Sequence, residues 1–226
     1  ISAILRLLLQ IVIASLAFSN GLNINLGYFD NIFNPYILNF LEYIFTCFWL
    51  VGGINAFNWL DGLDGLASGI SSILFITISF ISFTFGFSNL GIFAAANAVA
   101  AMSFTHKNFH PSKIIMGDGG SYFLGFQLSS MSIVLANSLN IDQTFSSEIL
   151  KYYSSLALII FPYFDLVRVV ILRILKGNSP FLPDRIHLHY KMLDKGIKHE
   201  YVVIAMYGIC IITILPIIII ILNQAM

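Results

Sequence analysis

The polar positions of this chain come in short bursts separated by long apolar runs. Seven runs, roughly Ile4–Asn20, Ile37–Phe57, Leu66–Phe87, Leu90–Phe104, Ser121–Leu139, Ile149–Leu172 and Tyr201–Leu222, are long enough, or nearly so, to cross a bilayer. Crossing takes ~20 helical residues for ~30 Å of hydrocarbon. The fourth run is short, and its boundary with the third falls near Gly86 to Gly91. The runs are continuous and rich in Leu, Ile and Phe, without the alternation of barrel strands, so helices are the way left to satisfy their backbones in lipid. The pattern predicts an all-α, polytopic transmembrane helical bundle of about seven spans, a single integral membrane domain over residues 1–226. No internal repeat interrupts it, and the longest polar interval runs from Arg173 to Glu200.

Composition agrees. Of 226 residues, 58% are hydrophobic and 10% charged, against about 25% charged in an ordinary soluble domain. Eleven basic residues balance eleven acidic ones, which argues against nucleic-acid binding through a basic surface. Cys47 and Cys210 sit far apart in apolar runs; they form neither a disulfide framework nor a metal spacing and read as small buried hydrophobes. The chain opens at Ile1, already in helical pattern, and reads as a fragment. It lacks the basic n-region and cleavage site of a signal peptide.

Threading seven spans puts Arg6, Lys107, Lys113, Arg168, Arg173, Lys176, Arg185, Lys191, Lys195 and Lys198 on one face and only Lys151 on the other. The basic face is cytoplasmic by the positive-inside rule, and the loops near Asn20–Tyr36 and Asn140–Glu148 face outward.

Three polar clusters then fall on that cytoplasmic side. The first, Asn55-Ala-Phe-Asn58-Trp-Leu-Asp61-Gly-Leu-Asp64-Gly, repeats Asn or Asp every three residues, which keeps neighbours on one drifting helix face. Two carboxylates so close to lipid need compensation. No Lys or Arg lies in the segment, so a divalent cation or a ligand's donors supply it; the plainer reading is a cap at the start of the next helix. The second cluster, Met116-Gly-Asp118-Gly-Gly-Ser121, has no Lys after its glycines and is not a Walker loop. With Asn58 or Asp61 it makes a sparse oxygen site of the kind Mg²⁺ uses beside substrate phosphates; the alternative is a glycine turn with Asp118 as N-cap. The third, Pro183-Asp184-Arg185-Ile-His187-Leu-His189-Tyr190, suits an extended loop presenting cationic donors to a diphosphate. The alternative is a basic loop touching lipid headgroups. Zinc finds little support there, since no cysteine is at hand and the two histidines are two apart. Asp165 pairs most simply with Arg168, three residues on, and His106 and His110 read as interfacial.

At these clusters the sequence resembles the polyprenyl-phosphate N-acetylhexosamine-1-phosphate transferases, membrane glycosyltransferase family four. The matching pieces are NAFNWLDGLDGLASG, MGDGGSYFLGF and SPFLPDRIHLHY, with FPYFDLVRVVILRILKG leading into the last. The loop Pro-Asp-Arg-x-His-x-His is similar to that of the undecaprenyl-phosphate GlcNAc-1-phosphate transferase branch, which starts O-antigen, common-antigen and teichoic acid polymers. The resemblance implies one transferase domain that passes a sugar 1-phosphate from a UDP-N-acetylhexosamine to undecaprenyl or another polyprenyl phosphate. UMP is released, with Mg²⁺ or Mn²⁺ as cofactor, at the cytoplasmic side of the bacterial inner membrane. Its partners are those two substrates and the lipid bilayer, with no nucleic acid, and a homodimer is the expected assembly. By motif position Asn58 and Asp118 match metal ligands, Asp64 a uracil contact, and Asp61 a catalytic carboxylate beside nucleotide and metal. Asn55 falls among the substrate-binding positions. His187 and His189 match the diphosphate-binding histidines, with Arg185 beside them. Asp61, Asp118, His187 and His189 form the expected catalytic set. Two departures stand out: Tyr190 occupies a position where the family usually has a third histidine, and the family's acidic pair ahead of the first span precedes Ile1. An ion-coupled transporter using Asp61, Asp64 and Asp165, or a catalytically inactive membrane protein, are the alternatives.

Overall fold

The computed structural model describes residues 2–139, 158–179 and 185–223. Those residues form eight α-helices and one 3₁₀ turn, without strands. The helices are α1 (Ala3–Ser19), α2 (Pro35–Leu60), α3 (Leu66–Thr84), α4 (Ser88–Asn108), α5 (Gly117–Ser138), α6 (Ile160–Leu175), α7 (Leu188–Asp194) and α8 (His199–Asn223). Their ends follow local chemistry. Ser2 caps α1 by accepting from the Leu5 amide. Asn34 caps α2 with Pro35 in the first turn, where a missing N–H costs nothing. Gly65 starts α3 at φ 81°, and Gly86, at φ 79°, turns α3 into α4.

Each of the seven predicted runs is helical over most of its described length, the third ending early in the turn at Phe85–Phe87. By length and composition, however, three helices reach the standard of a membrane span: α2, α3 and residues 199–220 of α8. At 17 residues, α1 falls short. Helices α4 and α5 have the length, but small and polar residues dilute them. The first part of the sixth run, the loop with Lys151 and Glu148, and Asp184 lie outside the described residues. For α5 the lower apolarity has a physical reason, because most of its surface faces other helices rather than lipid; α4 buries mainly a stripe of small residues, Gly91, Ala94, Ala98 and Ala101.

Helix α3 is the hub and packs against α4, α5 and α8, while α2 packs against α1, α5 and α6. Leu66, Ile70, Leu74, Ile78 and Ile81 of α3 are fully buried. Its hydroxyls are mostly satisfied within the helix: Ser71, Ser72 and Thr77 donate to the carbonyls of Ala67, Ser68 and Ile73. Outward positions are apolar and exposed, as at Leu8, Val12, Phe48, Ile92, Val99 and Ile212, which suits a hydrocarbon surround. Tyr163 docks α6 on α2, stacked on Trp49 at 5.0 Å with its hydroxyl donating to the Trp49 carbonyl. Gly52 makes room for that ring.

Candidate active site

The closest helix crossing sets the first part of the site. A Cβ on Gly125 of α5 would lie 2.5 Å from the Gly53 carbonyl oxygen of α2. Small residues let two backbones approach this closely. From there α2 runs to Asn58 and α5 runs back to Ser121 and Asp118, so the three meet. Asn58 Nδ2 donates to Asp118 Oδ1 at 3.0 Å and to Ser121 Oγ at 3.1 Å. Asp118 lies in the first turn of α5, where the helix dipole favours a carboxylate. Its other oxygen accepts from Arg6 of α1 at 3.0 Å, and Arg6 also donates to Tyr122 at 3.1 Å. The pair is open to solvent, with side-chain exposures of 39% for Arg6 and 62% for Asp118. Asp118 is therefore not an N-cap; that position falls to Met116, which makes no side-chain cap bond.

Asp61 and Asp64 occupy the turn between α2 and α3, and neither caps α3, whose N-cap is Gly65. Burial pushes the Asp61 carboxyl up to about 6, helped by the negative charges of Asp118 and then Asp64. Asp64 goes the other way. Burial alone would raise it, but hydrogen bonds from His110 and Ser112, with His199 nearby, hold it below the usual carboxylate range. His110 Nδ1 lies 3.1 Å from Asp64 Oδ2, and His199 Nε2 lies 3.3 Å from the Asp64 carbonyl. One ligand atom from each of Asp64, His110 and His199 falls within 4.8 Å of the others. The two imidazoles, however, stack at 4.3 Å and 18°. A metal in the plane of one ring stands off the plane of the other, so the arrangement serves hydrogen bonding better than coordination.

The histidine loop forms the third part. His187 is the N-cap of the short helix α7 and His189 lies in its first turn. From Leu188 onward the chain is thus helical where an extended loop was expected. Because the cap residue itself is extended, at ψ 153°, the two rings still come together, stacked at 5.4 Å and 15°. His187 Nδ1 is 2.8 Å from Asp165 Oδ2. His189 is fully buried, and neither ring nitrogen has a hydrogen-bond partner. Burial, with the neighbouring His187 charge, pushes its imidazole down to about 4. His189 rests on Gly62, where a Cβ would stand 2.6 Å from Nε2, and Tyr190 donates to the Gly62 carbonyl at 3.3 Å. The loop is thereby tied to the aspartate turn.

Two grooves meet at Arg6 and Tyr122. One, of about 570 Å³, is apolar apart from Arg6, Gln10, Asp118 and Tyr122, and runs past Ile13, Ile54 and Phe126. The other, of about 380 Å³, reaches Asn55, Asn58 and Trp59.

The expected residues therefore divide. Asn58, Asp61 and Asp118 share the open end, Asp64 turns to His110, and His187 with His189 forms the buried stack. Two residues stand aside. Asn55 turns to α1 and donates to Gln10 at 2.7 Å. Arg185 is exposed, pairs with Asp194 at 3.1 Å and covers the Tyr190 ring. The structure adds Arg6, His110 and His199, and gives His110, read from the sequence as interfacial, a partner in Asp64. Arg6 carried a usable signal as the lone charge within the first apolar run. The two histidines carried none, since their partner Asp64 is 46 and 135 residues away in the sequence.

Residues 1–136 match glycosyl transferase family 4. A probable undecaprenyl-phosphate N-acetylglucosaminyl 1-phosphate transferase of Bacillus subtilis is 31% identical over 207 residues, 92% of this chain and 56% of that protein. A decaprenyl-phosphate N-acetylglucosaminephosphotransferase of Mycobacterium leprae is 31% identical over 166 residues, 68% of this chain and 42% of its own length. A phospho-N-acetylmuramoyl-pentapeptide-transferase of Staphylococcus aureus is 39% identical over 139 residues, 62% of this chain and 42% of its own length. The chain thus spans about half the length of the curated relatives it matches. With an all-helical bundle, membrane-length apolar helices and a polar site gathered at one end, the chain belongs to glycosyl transferase family 4.

Proposed function

We propose that the protein transfers N-acetylhexosamine 1-phosphate from a UDP-sugar to undecaprenyl or another polyprenyl phosphate, releasing UMP, at the cytoplasmic face of the bacterial plasma membrane. The observation that carries this reading is the open Asn58–Asp118–Arg6 cluster at the mouth of an apolar groove of about 570 Å³. A polar headgroup with a long apolar tail fits such a junction. An oxygen of the lipid phosphate bonds to the sugar-bearing phosphorus, the bond from that phosphorus to the UMP oxygen breaks, and UMP leaves with the electron pair. Such transfers need positioning and charge neutralisation more than covalent help. Arg6 can exchange Asp118 for a phosphate oxygen, His187 offers the diphosphate its free ring nitrogen while the buried His189 backs that ring, and Asp64 is left for the nucleotide.

The donor set also fits Mg²⁺. Asn58 and Asp118 offer hard oxygen ligands, and Asp61 is close enough to feel the Asp118 charge, although burial is the main reason its carboxyl is raised. Bound there, the ion neutralises phosphate charge. An ion-coupled carrier needs a polar path reached from both sides of the membrane, whereas hydrogen bonds gather the described polar residues at one end of the bundle. The test is UMP release by the intact membrane protein given UDP-GlcNAc and undecaprenyl phosphate. Release is expected only with both substrates present, and chelation of divalent ions should abolish it. No UMP with every component supplied overturns the reading.

A further inference from the structure

Asp165 has a larger role than its pairing with Arg168 requires. It lies within α6 with a side chain 5% exposed. Its Oδ1 accepts from Arg168 Nε at 3.2 Å and Nη2 at 2.7 Å and from the Leu188 amide at 3.2 Å. Its Oδ2 faces His187 Nδ1 at 2.8 Å. Arg168 Nη2 also donates to the Ile186 carbonyl at 2.7 Å. One acid–base pair, a single turn apart on α6, thus grips three consecutive loop residues: Ile186 by its carbonyl, His187 by its ring and Leu188 by its amide. An ion pair alone needs none of the three.

The consequence lies in the imidazole. A carboxylate only accepts hydrogen bonds, so His187 must carry a proton on Nδ1. Nε2 is then the nitrogen left to meet a ligand. In a histidine, the bond made by one ring nitrogen sets the state of the other. The ring plane is fixed as well, by the stack on His189 at 5.4 Å and by an edge contact with Trp59 at 5.7 Å and 78°.

We propose that Asp165 is a positioning residue that sets the tautomer and orientation of His187, so that the loop presents Nε2 to the diphosphate. This rests on the functional reading above, in which the loop receives that diphosphate. The role is distinct from holding the bundle together, since Arg168 and the Leu188 amide could anchor the loop whichever nitrogen of His187 were protonated.

The test is ¹⁵N NMR of the intact protein labelled at histidine, with the His187 signals assigned by their loss in His187→Gln. In the unaltered protein at a pH where the ring is neutral, Nδ1 should show the protonated signature and Nε2 the unprotonated one. Asp165→Asn should mix or invert the two, and Asp165→Glu, which keeps the carboxylate, should restore them. An unchanged His187 tautomer in folded Asp165→Asn overturns the proposal; should that variant not fold, loss of the Nδ1–H signature in folded Asp165→Glu overturns it equally. Turnover gives a second arm. Asp165→Asn should lose roughly 10–100-fold, the range typical of residues that orient an active group, yet add under about twofold on top of His187→Ala, because residues acting as a unit are non-additive. Full additivity assigns Asp165 to scaffolding and overturns the proposal. Normal transfer by His187→Ala would instead remove the functional reading of the loop, while the NMR result still decides the tautomer.

Discussion

Asp118 and Asp165 are both aspartates held by an arginine, and their surroundings give them opposite uses. The Arg6–Asp118 pair spans two helices distant in sequence and stands open to water, 39% and 62% exposed. The Arg168–Asp165 pair lies on one helix, 20% and 5% exposed, and its bonds beyond the pair go to residues 186–188 of the loop. An exposed ion pair contributes ~0–1 kcal/mol, so its members can change partners when a phosphate or cation arrives. A buried pair is costly to break because the remaining charge is left uncompensated. The open end is therefore built for exchange and the buried end for holding a geometry.

Three substitutions sharpen or break that contrast. The largest effect is expected for Asp165→Ala, which removes the counter-charge of Arg168 and frees His187 and Leu188. It should destabilise the protein by about 3–5 kcal/mol, read as a drop in thermal unfolding temperature in detergent. An unfolding temperature within a degree or two of the unaltered protein's would show that the buried pair is not architectural. Asp118→Asn comes next. It keeps the shape and removes the charge, so unfolding should shift little while turnover falls on the order of 10²–10³-fold, the loss typical of removing one group that stabilises transition-state charge. Near-normal turnover in that variant would move the chemistry away from the open end. Gly125→Ala is the mildest. Its Cβ meets the Gly53 backbone, and overpacking of this kind costs about 1–3 kcal/mol. Because the crossing it wedges apart aligns Asn58 with Asp118, activity should fall further than stability, and the His187 tautomer should not change. A tautomer altered by Gly125→Ala would mean that the two ends are coupled.

The helical fold was plain in the chain because continuous apolar runs leave the backbone few alternatives in lipid. Counting spans was harder. Helices such as α4 and α5 spend small and polar residues on helix contacts, and a hydropathy pattern cannot distinguish a helix diluted by packing from one too polar to cross. Asn58, Asp61, Asp118, His187 and His189 could be singled out because polar clusters in an apolar chain are conspicuous. Asn55 and Arg185 belonged to the same clusters, but their side chains turn to Gln10 and Asp194, a difference that spacing does not encode. Arg6, His110 and His199 were harder still. Each owes its position to a partner in another helix or loop; Arg6 was at least conspicuous as the lone charge of the first apolar run, whereas nothing local announces the contacts of the two histidines. Asp165 was half legible: the i,i+3 arginine was visible, whereas the histidine that completes the arrangement lies 22 positions further along.

The inward-facing serines and threonine of α3 bear on how the protein is made. Ser71, Ser72 and Thr77 carry their acceptors with them, each bonded to a carbonyl one turn back in the same helix. Those three hydroxyls can thus enter lipid already satisfied, before the helices that will surround α3 have been synthesised. Ser79 differs: its hydroxyl donates to the Gly91 carbonyl of α4, so it gains that partner only when α4 docks, and assembly adds a hydrogen bond at the α3–α4 contact.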